Sequence, residues 1–162
     1  MKKLYLIRHA KSSWDNPVAD FDRDLNKRGE FDAPLIGKEL KKREINPDLI
    51  ISSPALRAKK TALILAKEIG YNPSQILFKD SIYESSLYNL LMIIKELDIS
   101  LESVMIVGHN PSMTELINKI SKFSISNLPT CGVVALELDS WSEIEPYSAK
   151  EIFYIYPKMF KS

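Results

Sequence analysis

The sequence predicts an α/β protein, a three-layer αβα arrangement with a mostly parallel central sheet. Three observations lead there. Short continuous apolar runs, among them Leu4–Ile7 and Val104–Val107, have the length of strands buried on both faces. Segments with apolar residues at spacings of three and four follow these runs, as helices that cover a sheet do. The two kinds of segment alternate along the chain, which joins neighbouring strands in parallel with helices on both faces.

The first strand is Leu4-Tyr5-Leu6-Ile7, ended by the charged Arg8. A helix is expected between Asn26 and Arg43 with Phe31, Leu35, Ile36 and Leu40 facing inward, and Pro34 obscures its start. Asp48–Ser52 reads as the second buried strand. Ser53 is placed to cap a following helix whose first position is Pro54. Ala58, Ala62, Leu65, Ala66 and Ile69 recur at helical spacing, and Gly70 closes that segment. Ile76–Phe78 is a weaker strand, and Leu87, Leu90, Leu91, Ile94 and Leu97 mark the next helix. After Val104–Val107 come Gly108-His109-Asn110 and a helix start at Pro111, with Ser112-Met-Thr-Glu115 in the pattern of a capping box. Val133–Leu138 and Ile152–Tyr156 predict a closing two-stranded ribbon joined by the polar segment Asp139–Lys150, a surface loop or a partner contact.

At 162 residues the chain fits one domain, 1–162, large enough to bury a core without covalent staples. Its formal net charge of +1 leaves no cationic excess for nucleic acid. The apolar stretch after Met1-Lys2-Lys3 is too short for a signal peptide or a membrane span, so no membrane partner and a cytoplasmic location are expected. The single cysteine, Cys131, reads as a small apolar filler. No CxxC, HExxH or His/Cys cluster is present, and neither metal nor other cofactor is expected. The five glycines form no GxxxxGK[ST] or GxGxxG loop, which disfavours nucleotide-loop enzymes.

The chain has two histidines, His9 and His109, and each stands just past the carboxyl end of a predicted buried strand. Ligands of open α/β sheets bind at that edge. Arg8 adjoins His9, and Arg57 falls in the first turn of the helix after the second strand, against the macrodipole. A guanidinium held there suits a site that receives an anion. Arginine forks match phosphate oxygens in pairs, and helix amino termini add backbone donors, so the combination points to a phosphoryl group. Without metal ligands to activate water, an imidazole is the expected nucleophile, acting through a phosphohistidine.

Leu6-Ile-Arg-His-Ala-Lys11, Ser52-Ser-Pro-Ala-Leu-Arg57 with Thr61-Ala62, and Val107-Gly-His-Asn-Pro111 together resemble the histidine phosphatase superfamily, with the motifs in the family's order. The fuller run Arg8–Trp14, followed by Asp24-Leu-Asn-Lys-Arg-Gly29, is more similar to the small SixA-type phosphohistidine phosphatases than to the phosphoglycerate mutases. The resemblance implies the phosphoglycerate mutase-like fold. It also implies His9 as nucleophile, with Arg8, Arg57 and His109 holding the phosphoryl group without a metal. Glu84 stands where many members of the superfamily place their general acid, and Asp15 and Asp22 are reserve candidates.

Ser12 is a possible hydrogen-bond donor to phosphate, and Asn110 is either a cap or a phosphate contact. Trp14, Tyr83 and Tyr88 are candidates for the wall of a pocket mouth but are read as packing. The expected substrate is a phosphorylated protein side chain or a small phosphorylated metabolite. Two other readings stay open: a mutase, which the short interval between Arg57 and Leu87 leaves without material for a lid, and a phospho-ligand binding module without turnover.

Overall fold

The computed structural model describes residues 1–162. Its strands are β1 (Lys2–Arg8), β2 (Leu49–Ser52), β3 (Leu77–Phe78), β4 (Ser103–Gly108), β5 (Val133–Leu138) and β6 (Lys150–Ile155). Its helices are α1 (Lys27–Lys42), α2 (Leu56–Ile69), α3 (Leu87–Lys95) and α4 (Ser112–Ile120). The six strands form one sheet in the order β3-β2-β4-β1-β5-β6. The first four in that order run parallel, and β5 and β6 pair antiparallel along one edge.

Alternation within each strand divides the core in two. Tyr5 and Ile7 of β1, with Ile50, Met105, Val107, Val133 and Ala135, pack beneath Ala33, Ile36 and Leu40 of α1 and Ala58, Ala62 and Leu65 of α2. Leu4 and Leu6, with Ile51, Val104, Ile106, Val134 and Leu136, face Leu90 and Ile94 of α3 and Met113, Leu116 and Ile117 of α4. The expected αβα layering follows directly, because strands apolar on both sides need helices on both sides.

Several local expectations are corrected. Asn26 caps α1 by accepting the Gly29 N–H at 2.9 Å, and the helix runs straight through Pro34. Its inward face is Gly29, Asp32, Ala33, Ile36, Gly37 and Leu40, while Phe31 is 62% exposed. A narrow face is needed here: a Cβ at Gly29 would lie 2.1 Å from the Lys11 carbonyl oxygen, so only glycine lets the helix approach the segment that follows β1. Gly29→Ala is expected to cost about 1–3 kcal/mol, read as a lower urea midpoint at unchanged slope. The buried Asp32 carboxylate pairs with Lys161 Nζ at 2.7 Å and with Arg28 Nε at 3.4 Å, tying the carboxyl-terminal segment to α1.

Ser112 to Glu115 do not form a capping box. The Ser112 hydroxyl donates to the His109 carbonyl, and Asn110 Oδ1 accepts the Thr114 N–H instead. The segment between β5 and β6 is anchored, since Trp141 is buried and its indole N–H donates to the Leu101 carbonyl at 2.8 Å. No helix is long and apolar enough to cross a membrane. Cys131 is fully buried, and its backbone N–H reaches the carbonyls of Arg8 and His9 at 2.9 and 3.1 Å. Burial raises its thiol well above the ordinary range, as expected for a packing residue and not a nucleophile.

Candidate active site

Three adjacent parallel strands end level with one another. Arg8 pairs in register with Gly108, and Ser52 with Val107, so His9, Ser53 and His109 emerge together at the carboxyl edge. The imidazole centroids of His9 and His109 lie 5.0 Å apart. A cleft of about 290 Å³ opens over them, lined by Arg8, His9, Lys11, Ser12, Trp14, Asp20, Arg23, Arg57, Tyr83, Glu84, His109, Asn110 and Thr130. All the residues singled out for phosphoryl chemistry, Arg8, His9, Arg57, Glu84 and His109, share this cleft.

His9 is buried, and its Nδ1 lies 2.7 Å from the Ala10 carbonyl oxygen. A carbonyl only accepts, so Nδ1 carries the proton and Nε2 presents a free lone pair. Burial is the main cause that lowers its pKa to about 3, with the neighbouring His109, Arg57 and Arg8 adding to it against the Ala10 hydrogen bond. The ring is therefore neutral at pH 7. His109 Nε2 lies 2.8 Å from Ser53 Oγ. That oxygen also accepts the Ala55 N–H, so one hydroxyl ties the imidazole to the turn that leads into α2. Ser53 thus fixes an imidazole in place of capping a helix: α2 begins at Leu56 with Ala55 in the cap position and no side-chain cap. His109 is lowered to about 4, first by burial and then by Arg57.

These shifts carry a stability consequence with a definite sign. An unfolded histidine titrates near 6.5, well above both folded values, so below that pH the unfolded chain binds more protons. Folding stability is expected to fall by about 5 kcal/mol between pH 7 and pH 4.5, roughly half from each histidine. Urea unfolding at the two pH values measures this, and His109→Gln should flatten the dependence.

Arg57 enters from the first turn of α2, which holds no acidic residue. Its Thr61 neighbour accepts the Ala10 N–H through Oγ1 and donates to the Arg57 carbonyl, joining the helix to the strand that carries His9. Arg57 Nη1 donates to the Asp20 carbonyl at 2.7 Å and Nη2 to Asp20 Oδ2 at 3.1 Å. Arg8 Nη1 donates to the Leu128 carbonyl at 3.0 Å. The Nε of each arginine is buried without a protein partner. One buried and one half-buried guanidinium group, with unspent donors beside two neutral imidazoles, make a receptor for a tetrahedral anion.

Asp20, Arg23 and Tyr83 were not picked out by sequence. Arg23 stacks its guanidinium on Trp14, 3.5 Å from the ring centroid, and donates to Ser12 Oγ and Asp20 Oδ1. Ser12 therefore faces Arg23, and Trp14 and Tyr83 are cleft walls, not packing residues. The signal available was the charge-dense run Asp20-Phe-Asp-Arg-Asp24, placed in the loop between β1 and α1. Asp15 and Asp22, the reserve acids, are exposed and do not line the cleft. Asn110 lines it and also serves α4, accepting from Thr114 while donating to Asn127 Oδ1 and the Leu128 carbonyl. Tyr88 lies outside the cleft, 68% exposed. No three His, Cys, Asp or Glu side chains gather as they would around a metal ion.

Residues 4–87 match the histidine phosphatase superfamily (branch 1). The chain belongs to that superfamily. An uncharacterized chloroplastic protein of Arabidopsis thaliana is 33% identical over 155 residues, covering 88% of this chain and 70% of that protein. Phosphoserine phosphatase 1 of Hydrogenobacter thermophilus is 44% identical over 71 residues, 41% of this chain and 32% of that enzyme. Among solved structures, an Agrobacterium tumefaciens protein assigned as a phosphohistidine phosphatase SixA superposes with a TM-score of 0.80 at 31% identity, covering 96% of this chain and 98% of that one. The protein histidine phosphatase SixA in complex with tungstate shares the fold, with a TM-score of 0.81 at 19% identity over 98% of this chain and 99% of that one. This histidine phosphatase thus falls with the SixA-type branch, and family and fold support phosphatase activity on a phosphorylated substrate.

Proposed function

We propose that the protein is a metal-independent phosphatase of the SixA type that removes phosphoryl groups from protein phosphohistidine through a covalent intermediate on His9. The observation that carries this reading is the buried, neutral His9, its Nδ1 anchored on the Ala10 carbonyl and its Nε2 free, in one cleft with Arg8, Arg57 and His109. Nε2 attacks phosphorus in line, the P–Nε2 bond forms, and the bond to the leaving group breaks. Arg8, Arg57 and the His109 imidazole hold the three equatorial oxygens, whose charge these groups offset. Water then attacks the phosphohistidine, the P–Nε2 bond breaks, and orthophosphate departs, returning His9 to its starting form.

Oxygen leaving groups need a proton that a departing imidazole needs far less. Two carboxyl groups line the cleft, Asp20 and Glu84. The Tyr83 hydroxyl is the main cause holding Asp20 down to about 2, with Arg23 and Arg57 assisting against partial burial, so Asp20 stays ionised. Glu84 is then the acid, and as a carboxylate it takes a proton from the attacking water in the second step. The SixA structures with the same fold support the phosphohistidine substrate, as does the small polar cleft, which admits the phosphoryl end of a larger molecule.

Turnover of a phosphohistidine peptide and an aryl phosphate in excess EDTA tests the reading. Hydrolysis of both is expected, with the peptide faster. Activity that disappears in EDTA and returns with a divalent cation would overturn metal independence. No turnover of either substrate, with phosphate still bound, would favour the binding module.

A further inference from the structure

Asp20 opens the short turn Asp20–Asp22 in the loop between β1 and α1, and it already engages part of the Arg57 fork that a phosphoryl group would use. Oδ2 accepts from Arg57 Nη2 at 3.1 Å and from the Tyr83 hydroxyl at 2.6 Å, and Oδ1 accepts from Arg23 Nε at 3.1 Å. Oδ2 stands where a phosphoryl oxygen taking the same Nη2–H would lie, so the two compete for that donor. Once displaced from Arg57, the carboxylate keeps its bonds to Arg23 and Tyr83, both of them walls of the same cleft. His9 and Arg57 are buried whereas Asp20 is half exposed, so the retained charge stands at the mouth, where the leaving group lies.

We propose that Asp20 is a specificity-determining residue, competing with phosphoryl oxygens for Arg57 and setting the cleft mouth against anionic leaving groups and in favour of cationic ones. This deepens the proposed phosphatase reading and rests on its placement of the phosphoryl group. Glu84 on the same rim adds charge of the same sign. A protonated imidazole or another nitrogen cation departing from phosphorus meets attraction at this mouth, while a carboxylate-bearing sugar-acid phosphate meets repulsion. The charge is dependable because Tyr83 and Arg23 go on bonding the ionised form after Arg57 is given up.

Binding, not turnover, tests the proposal, so that a protein unable to hydrolyse anything still answers. The ligands are inorganic phosphate and two benzylphosphonates, one with a para carboxylate and one with a para trimethylammonium group, titrated calorimetrically into the intact protein and into Asp20→Asn. The intact protein should prefer the ammonium ligand by about tenfold, and Asp20→Asn should reduce that preference below about threefold. Phosphate should bind about fivefold more tightly to the variant, since its internal competitor has lost its charge. An unchanged preference overturns the proposal, and tighter phosphate binding with unchanged preference does so too, leaving Asp20 a plug without selectivity. Absence of binding of all three ligands also overturns it. Aryl phosphate turnover by the same preparations judges the phosphatase reading separately.

Discussion

His9→Ala is expected to lower kcat by about 10⁴-fold or more on every substrate, while phosphate binding changes by less than about tenfold. The asymmetry follows from the site. In the proposed site the two guanidinium groups, Arg8 and Arg57, carry most of the phosphate affinity, and the neutral His9 imidazole contributes little to holding an anion. The covalent route, by contrast, has no second nucleophile placed to replace it, since the buried thiol of Cys131 is pushed firmly toward its protonated form. Rapid quenching into alkaline denaturant with a ³²P substrate should trap an acid-labile, alkali-stable phosphoryl adduct on the intact protein and none on the variant. Equal labelling of both proteins, or residual turnover in the variant above about one per cent, would remove His9 from the nucleophile's role.

Arg57→Ala is expected to be nearly as damaging, about 10³-fold in kcat/KM, with the greater part in kcat. Arg57 is buried at the start of α2, where the dipole and an uncapped first turn already favour negative charge, so its donors act in surroundings poor in water. Charge migrates onto the phosphoryl oxygens and leaving group as the bond breaks, which makes a fixed guanidinium worth more in the transition state than on the bound substrate. Arg57→Lys should recover little, because an ammonium cannot supply paired donors from one plane. A loss confined to KM would mean that Arg57 only holds the substrate. A loss below about tenfold would shift the burden to Arg8 and His109.

Most of this site was legible in the sequence because the residues that carry it hang from signals sequence expresses well. His9 and His109 follow continuous apolar strands, and Arg57 follows a strand that passes directly into an amphipathic helix. Such elements place their ends at one sheet edge whatever the loops do. Asp20, Arg23 and Tyr83 were not legible for the complementary reason. They lie in connections whose course is set by one another, Asp20 meeting Tyr83 across 63 residues, and no local periodicity encodes such a meeting. Phe31 misled because helical spacing alone does not reveal that α1 must approach Lys11 through a glycine and so turns a narrower face inward. Ser53 misled because a serine before a helix has two attractive uses, and the nearby His109 imidazole, which decides between them, arrives from 56 residues further along.

The level ending of β1 and β4 makes the sheet a ruler for the reaction. Neighbouring strands lie about 4.8 Å apart by backbone hydrogen bonding alone, and the two imidazoles that continue those strands are separated by 5.0 Å, nearly the same interval. The gap that a phosphorus centre must bridge is therefore gauged by the main chain. Loops around the rim can lengthen, shorten or change charge, and the spacing between the two imidazoles stays calibrated beneath them.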